Sequence, residues 1–508
     1  MEKKKESNAV YLVSLVVVSV MALWGLIFNE SFGVLMANLM SFLTVNFNWL
    51  YLIAIFVFII ASFILAFSKY GKIKLGPDDS TPDYSTKSWF AMLFGAGMGI
   101  GLVFWGVSEP LSHFMNPPGG LVPGSEEAVR FAMRASLKHW GFHAWANYAI
   151  IGLGLAYFQF RKGYPGLISS LFIPLYGEKG AKGWMGKTID ILAIFATVAG
   201  VATSLGMGTL QINSGMNYVF GVPINAPVQI GIIAVITVLY IWTAVAGIEK
   251  GIALLGDINL YLAIGLLVLS VIVGPKLIMV SAFCEGVGLY LNNIIIDSLH
   301  LNILSDNSWT NGWTVFYWAW WIAWAPFVGS FIARISRGRT VKEFVMGVII
   351  APTLASFMWF GVFGGMGIDM ISKLGLEALA ALPASPETAL FIVYDQYPLA
   401  VVLSAMTLVL LCTFFITSAN SATFVLAMFS EHGDLNPSNK KKFIWGLIQS
   451  VLATALLLAG GLKPLQTASI VAAFPFIFIM FAAIYSTFKA FAAESSEAEA
   501  EKVEQKVG

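Results

Sequence analysis

Residues 311–331, NGWTVFYWAWWIAWAPFVGSF, decide how the rest of the chain is read. The stretch is apolar and long enough to cross a bilayer, which takes about 20 helical residues at 1.5 Å each. Trp318, Trp320, Trp321 and Trp324 crowd its middle. At 100° per residue, Tyr317, Trp320, Trp321, Trp324 and Phe331 share an arc of roughly 100°, so one helical face is a wall of aromatic rings. Tryptophan ordinarily collects at the membrane–water interface, where the indole N–H stays wet. Trp324, however, stands about 22 Å along the helix from Arg339, beyond its end. Rings at that depth suit a cationic group, which the negative face of an indole attracts.

The 508 residues around this stretch are 58% hydrophobic and 11% charged, a balance foreign to a water-soluble domain and expected of an integral membrane protein. A net charge of +1 supplies no basic field, so nucleic acid is not an expected partner. Cys284 and Cys412 are the only cysteines, which excludes a disulfide framework or a multi-cysteine metal site. The N-terminal MEKKKESNAVYLVSLVVVSVMALWGLIF has the charged front of a signal peptide, but its apolar run exceeds the 7–15 residues of a signal core. It is taken as the first span, retained.

Twelve spans are expected, at 10–30, 49–68, 88–114, 140–161, 188–217, 226–246, 257–281, 310–335, 344–366, 398–429, 442–461 and 467–488. Lys and Arg concentrate in alternate connections, from Lys69 and Lys72 through Arg161 and Lys162 to Arg337 and Lys440, which places both termini on the cytoplasmic side of the cell membrane. Arg130, Arg134 and Lys138 depart from that bias. The segment 282–304 is amphipathic and too polar to cross, and is expected to lie along the outer face. The tail AAESSEAEAEKVEQKVG is short and acidic, and is expected to be disordered or weakly helical. No soluble module is in view.

Three stretches carry chemistry. In the third span, GAGMGIG alternates Gly95, Gly97, Gly99 and Gly101. Two readings stand: small-xxx-small faces for close helix packing, or a locally unwound helix with bare backbone, since each glycine costs about 1 kcal/mol against alanine. A dinucleotide fingerprint is excluded, because the G-x-G-x-x-G spacing and the βαβ context are missing. HWGFHAWANYAI holds Trp140, Trp145 and Tyr148, a second aromatic concentration whose bland reading is an interfacial belt. His139 and His143 have metal-pair spacing but no third ligand, so a polar contact is favoured. FFITSANSATF gathers Thr417, Ser418, Asn420, Ser421 and Thr423, either bonded back to their own helix or offering oxygens to a hard ion such as Na⁺. Thr197, Thr203 and Ser204 with Gly200 and Gly206 are a weaker set of the same kind. Acidic residues are nearly absent from these spans, Glu109 and Asp190 lying toward span ends. A bare cation would want a counter-charge, whereas a zwitterion carries its own.

GAGMGIGLVFWGVSEP, HWGFHAWANYA and FYWAWWIAWAPFVGSFIARISRGRT resemble the betaine/choline/carnitine transporter family, over spans three to twelve. The resemblance implies an all-α integral membrane protein of twelve transmembrane helices with two inverted five-helix repeats of the leucine-transporter type, commonly a homotrimer. The chain then divides into two leading helices and a loop (1–86), a first repeat (87–282), the interfacial helix (283–308), a second repeat (309–490) and the cytoplasmic tail (491–508). The family's aromatic box falls on Trp140, Trp145, Tyr148 and Trp321, with a further ammonium contact at Trp324 and a ring on the inward path at Phe331. Its substrate-approaching glycines fall on Gly97, Met98, Gly99 and Gly101. One sodium site falls on Gly95, Met98, Phe414, Thr417 and Ser418. A second falls on Thr197, Val201 and Phe327, where Val201 offers no side-chain oxygen unless Thr203 or a carbonyl substitutes. The family's usual Ser-Ala-Asp-Ser reads Ser-Ala-Asn-Ser at Asn420. The short acidic tail also lacks the long charged terminus of osmotically regulated members.

The resemblance therefore implies a secondary transporter, not an enzyme, that imports glycine betaine or a related quaternary-ammonium zwitterion, a compatible solute, with Na⁺ as coupling ion. Gly101, where choline-preferring members tend to carry an acid, favours betaine. The alternatives are a sodium-independent carnitine/betaine exchanger, a proton-coupled choline transporter, and a substrate-gated sensor or channel.

Overall fold

Polar backbone cannot be left bare in hydrocarbon, so a chain this apolar is expected to be helical throughout its spans. The computed structural model describes residues 8–507 other than 98, 248 and 305. Among them the regular elements are helices, joined by one isolated bridge between Lys74 and Thr340.

The chain opens with α1 (Ala9–Ile27) and α2 (Asn29–Phe67), which meet at Phe28 with no polar loop. The second span thus starts twenty residues before the expected 49, its 39-residue helix outrunning the apolar stretch. There follow α3 (Thr86–Gly97), α4 (Ile100–Met115), α5 (Glu126–Trp140) and α6 (Phe142–Ala156), the last ending in a π turn over Tyr157–Arg161. Next come α7 (Ile173–Lys182), α8 (Trp184–Phe220), α9 (Ala226–Val245), α10 (Glu249–Val273) and α11 (Lys276–Leu299). The remainder is α12 (Val315–Arg334), α13 (Val341–Leu379, kinked at Gly375), α14 (Pro386–Asp395), α15 (Ala400–Phe429), α16 (Asn439–Leu458) and α17 (Leu462–Val507).

Eleven of these helices are long and apolar enough to cross a membrane. Ten correspond to expected spans, and α11 is the eleventh. The third and fourth expected spans are built differently. Span three is broken: α3 stops at Gly97, α4 starts at Ile100, and Gly99 between them is extended (φ −157°, ψ −175°). The unwound reading of GAGMGIG therefore describes the chain, and Gly95 and Gly99 have nothing within 4 Å of where a Cβ would stand. Gly101, by contrast, serves close packing, against Trp320. Span four is shorter than 140–161, because Gly141 separates α5 from α6 and leaves Trp140 as the last residue of α5. A Cβ on Gly141 would stand 2.6 Å from the Leu137 carbonyl and 2.9 Å from the Tyr290 hydroxyl.

Two segment boundaries also differ. The helix placed at 283–308 begins at Lys276 and ends at Leu299. The tail placed at 491–508 is not a separate segment, since α17 runs unbroken from Leu462 to Val507. Glu494 fastens it, accepting from Tyr157 at 2.6 Å and pairing with Arg161 and with Lys162.

The core is centred on α12, which packs on α6, α17 and α8. Residues 315–323 are buried without exception, as an apolar helix ringed by other helices must be. Around one end of the molecule Arg161 bonds Gly76 and Asp78 and Arg337 approaches Asp83. Around the other, the three basic residues that depart from the charge bias each have a partner. Arg130 pairs with Glu285 at 2.7 Å, Arg134 with Asp297 at 3.3 Å, and Lys138 donates to Thr314 at 3.0 Å. Both arginines are thus paired with carboxylates, whereas Lys138 is held by a hydroxyl.

Candidate binding site

The rings singled out in the sequence converge. Trp140 meets Trp321 at 4.9 Å between centroids and 74°, Trp321 meets Tyr148 at 6.3 Å and 74°, and Tyr148 meets Trp145 at 5.4 Å and 71°. All are edge-to-face contacts, the favoured geometry for such pairs. α5 contributes Trp140, α6 contributes Trp145 and Tyr148, and α12 contributes Trp321. All four are buried. Two hydrogen bonds fix the frame: Asn147 Nδ2 donates to the Trp321 carbonyl at 2.7 Å, and Trp321 Nε1 donates to the His139 carbonyl at 2.9 Å. Neither Asn147 nor the His139 carbonyl stands out in the sequence, because backbone acceptors carry no residue signature.

The first turn of α4 closes one side. A Cβ on Gly101 would lie 2.4 Å from the Trp320 ring and 3.1 Å from that of Trp140, so only glycine lets the helix approach the rings. Trp320 stacks on Trp321 at 4.7 Å and 16°. A helix start carries unpaired N–H groups and the positive end of the helix dipole, and so favours an anion. Gly97 ends α3 on the far side of the break, while Met98 lies outside the described residues.

Trp324 stands apart from the four rings. It is half-buried, 5.4 Å from Phe327, and a Cβ on Gly200 of α8 would come within 2.6 Å of its indole. Its Nε1 is buried without a partner, as is that of Trp320. Phe331 is half-buried two turns further along α12.

Of the first set of ion-site residues, Met98 lies outside the described residues. Gly95 is exposed, and among the described residues no hydrogen bond joins it to Thr417 or Ser418. Phe414 is buried, and its carbonyl and that of Thr413 accept from the Thr417 hydroxyl at 3.2 and 3.0 Å. Asn259 of α10 donates to the same hydroxyl at 3.2 Å. At the second set, Thr197 bonds back to Ala193 at 2.8 Å, and Phe327 and Val201 are buried. Thr203, the candidate substitute, bonds Leu465 at 2.6 Å and Ser469 at 2.9 Å on α17. Asn420 donates to Thr243 at 3.0 Å, tying α15 to α9.

The two histidines of HWGFH go separate ways. His143 contacts Ser298 at 2.7 Å and Tyr290 at 3.2 Å, while His139 reaches Glu109 at 2.6 Å and Thr314 at 2.9 Å. The polar-contact reading fits this pair. Glu109 is fully buried beside the ring cluster, although its place near the end of an apolar run gave no sign of that.

The family described as "BCCT, betaine/carnitine/choline family transporter" matches residues 9–496. The chain belongs to the betaine/carnitine/choline transporter family. It is a multi-pass membrane transporter and not an enzyme. The chain is 46% identical over 490 residues to a "probable glycine betaine transporter" of Desulfitobacterium hafniense (strain Y51), covering 96% of this chain and 98% of that protein. The glycine betaine transporter OpuD of Bacillus subtilis (strain 168) is 46% identical over 505 residues, 99% of this chain and 98% of that one. An ectoine/hydroxyectoine transporter of Virgibacillus pantothenticus is 42% identical over 481 residues, 94% and 95% of the two chains. In this betaine/carnitine/choline transporter the matched region takes in every helix that carries a ring of the cluster.

Proposed function

We propose that this transporter is a secondary importer of glycine betaine or a closely related zwitterion, coupled to Na⁺, in the cell membrane with both termini cytoplasmic and as a homotrimer. The observation that carries the substrate class is the cage of Trp140, Trp145, Tyr148 and Trp321 laid against the start of α4. Ring faces attract a trimethylammonium group, each contributing about 0.5–2 kcal/mol, while helix N–H groups attract its carboxylate. Among the described residues the buried acid nearby is Glu109, whose oxygens are already taken by protein donors, so the cage suits a solute that brings its own counter-charge. The names of the two relatives at 46% identity point the same way.

For the ion, support comes from residue type: Thr417 and Ser418 with the carbonyls of Gly95, Met98 and Phe414 supply hard oxygens and no competing cation. In the arrangement described, Asn259 holds the Thr417 hydroxyl, so sodium binding would draw α3 toward α15 and free that hydroxyl. Sodium then shifts the population by its differential affinity for the gathered state. The domain division into 87–282 and 309–490 as inverted repeats belongs to the same proposal.

Uptake of labelled glycine betaine by purified protein in proteoliposomes tests it. Accumulation that follows an inward sodium gradient and saturates with substrate is expected. Uptake indifferent to sodium but driven by internal betaine would mark an exchanger, and dependence on a proton gradient would mark the choline-type alternative. The ectoine-transporting relative makes ectoine the first competitor to include.

A further inference from the structure

One turn before Trp321 on α12, Tyr317 points its hydroxyl at the carboxylate of Glu109 on α4 and donates to Oε2. Trp140 Nε1 donates to the same oxygen at 2.9 Å. His139 Nδ1 stands 2.6 Å and His113 Nε2 3.3 Å from Oε1. All five side chains are fully or almost fully buried.

The surrounding donors settle where the hydrogens are. Trp309 Nε1 reaches His113 Nδ1 at 3.3 Å, and an indole N–H can only donate. His113 Nδ1 therefore accepts, and its hydrogen sits on Nε2, facing Glu109. On the other ring, Thr314 Oγ1 accepts from the Lys138 ammonium and can still either donate to or accept from His139 Nε2 at 2.9 Å, so it fits both tautomers. An ionised Glu109 carboxylate only accepts, and at 2.6 Å it selects the tautomer with the hydrogen on His139 Nδ1. The carboxylate has donors on both oxygens and no acceptor beside it. Three ligand-type atoms, from Glu109, His113 and His139, lie within 4.8 Å of one another. In this arrangement the cluster is a hydrogen-bonded hub centred on Glu109.

We infer that Glu109 is a positioning residue of the solute site: through the Trp140 N–H it fixes the ring that meets Trp321 edge-on. The inference rests on the reading of the ring cluster as the solute site. Glu109 has no part in that cluster itself. It sets the orientation of one wall, and through Tyr317 it ties α12 to α4 and α5. Unanchored, the indole of Trp140 would carry a buried N–H without a partner, as those of Trp320 and Trp324 do, and an orphan of that kind costs about 1–3 kcal/mol unless the ring turns. A glutamine at 109 keeps the volume but replaces one oxygen, each of which faces two donors, by an NH₂, so the two donors on that side lose their acceptor.

The test is glycine betaine uptake and binding by the full-length protein in proteoliposomes. Glu109→Gln is expected to raise KM and the dissociation constant about tenfold, with the maximal rate within about twofold, since one charge-assisted hydrogen bond to Trp140 is lost. Trp140→Phe removes the same N–H from the other side. The double variant is therefore expected to be no worse than Trp140→Phe alone by more than about twofold. Losses that multiply, or an unchanged KM in Glu109→Gln, overturn the inference. A wild type without saturable uptake overturns the site reading and the inference together, whereas a transporting wild type with an unaffected Glu109→Gln variant overturns the inference alone. Should Glu109→Gln fail to elute as a folded species, Tyr317→Phe decides. It removes one donor from the same oxygen without adding an opposed one, and is expected to raise KM about threefold with the rate retained. An unchanged KM in that variant overturns the inference.

Discussion

Trp324 shows how much a single ring can be asked to do. It is half-buried, its N–H has no partner, and it leans on Gly200 and Phe327 and not on the four-ring cluster. A ring with an open face is available to a solute in a way that the tightly packed Trp318, stacked on His143 at 5.0 Å and 10°, is not. Trp324→Leu is expected to raise the dissociation constant for glycine betaine about tenfold or more, the upper range of one cation–π face. The protein should remain monodisperse, because the indole is only half-buried. Tryptophan fluorescence titration checks the affinity, and equal uptake by variant and wild type would remove Trp324 from the site. The side chains that bear rings were legible in the sequence because Trp and Tyr are conspicuous inside an apolar helix. Glu109, Asn147 and the role of Asn420 were not, since what distinguishes them is the partner each finds across the fold: Trp140, the Trp321 carbonyl and Thr243.

At the scale of elements, the break between α3 and α4 carries the argument. Composition left packing and unwinding equally open at GAGMGIG, because both exploit the missing Cβ. The geometry divides the glycines between the two uses, Gly99 extended with open space around it and Gly101 pressed on Trp320. The two substitutions to alanine should therefore differ in kind. Gly99→Ala meets no atom within 4 Å and an extended backbone that any residue adopts, so expression and thermal midpoint should stay near wild type, with any loss confined to KM. Gly101→Ala puts a methyl 2.4 Å from a fully packed indole and is expected to cost about 1–3 kcal/mol through forced repacking, lowering both stability and uptake. Thermal unfolding in detergent, run beside uptake, separates them. A Gly99→Ala protein as unstable as Gly101→Ala would mean that the break is not a relaxed feature. Hydropathy located ten of the spans for the same reason that it missed this break and the one at Gly141: a window average registers apolar length and is blind to the residue at which a helix stops.

For the whole molecule, the placement of α11 decides the architecture. By length and composition it qualifies as a span, yet its polar contacts argue for the outer surface. Glu285 in its middle pairs with Arg130 and Asp297 near its end pairs with Arg134, both on α5. These two ion pairs are separated by about 18 Å along the helix at 1.5 Å per residue, and a hydrocarbon core is about 30 Å thick. A helix crossing on the normal would bring charged pairs close to or into the hydrocarbon, where a charged side chain costs about 2.5 kcal/mol or more. Lying along the surface, α11 keeps both pairs at headgroup depth, sets Met279, Gly286 and Tyr290 against Gly365, Met133, Leu137 and Phe357, and leaves Leu277, Val280, Ile295 and Ile296 exposed to the apolar side of the interface. Cys284, exposed one residue before Glu285, reports the difference. With Cys412 replaced by serine, a membrane-impermeant maleimide added to intact cells is expected to label Cys284 as fast as it does after solubilisation. A thiol that reacts only once detergent is added would place Cys284 in the hydrocarbon, make α11 a true span, and turn one end of the chain to the opposite side of the membrane from the one the basic loops imply.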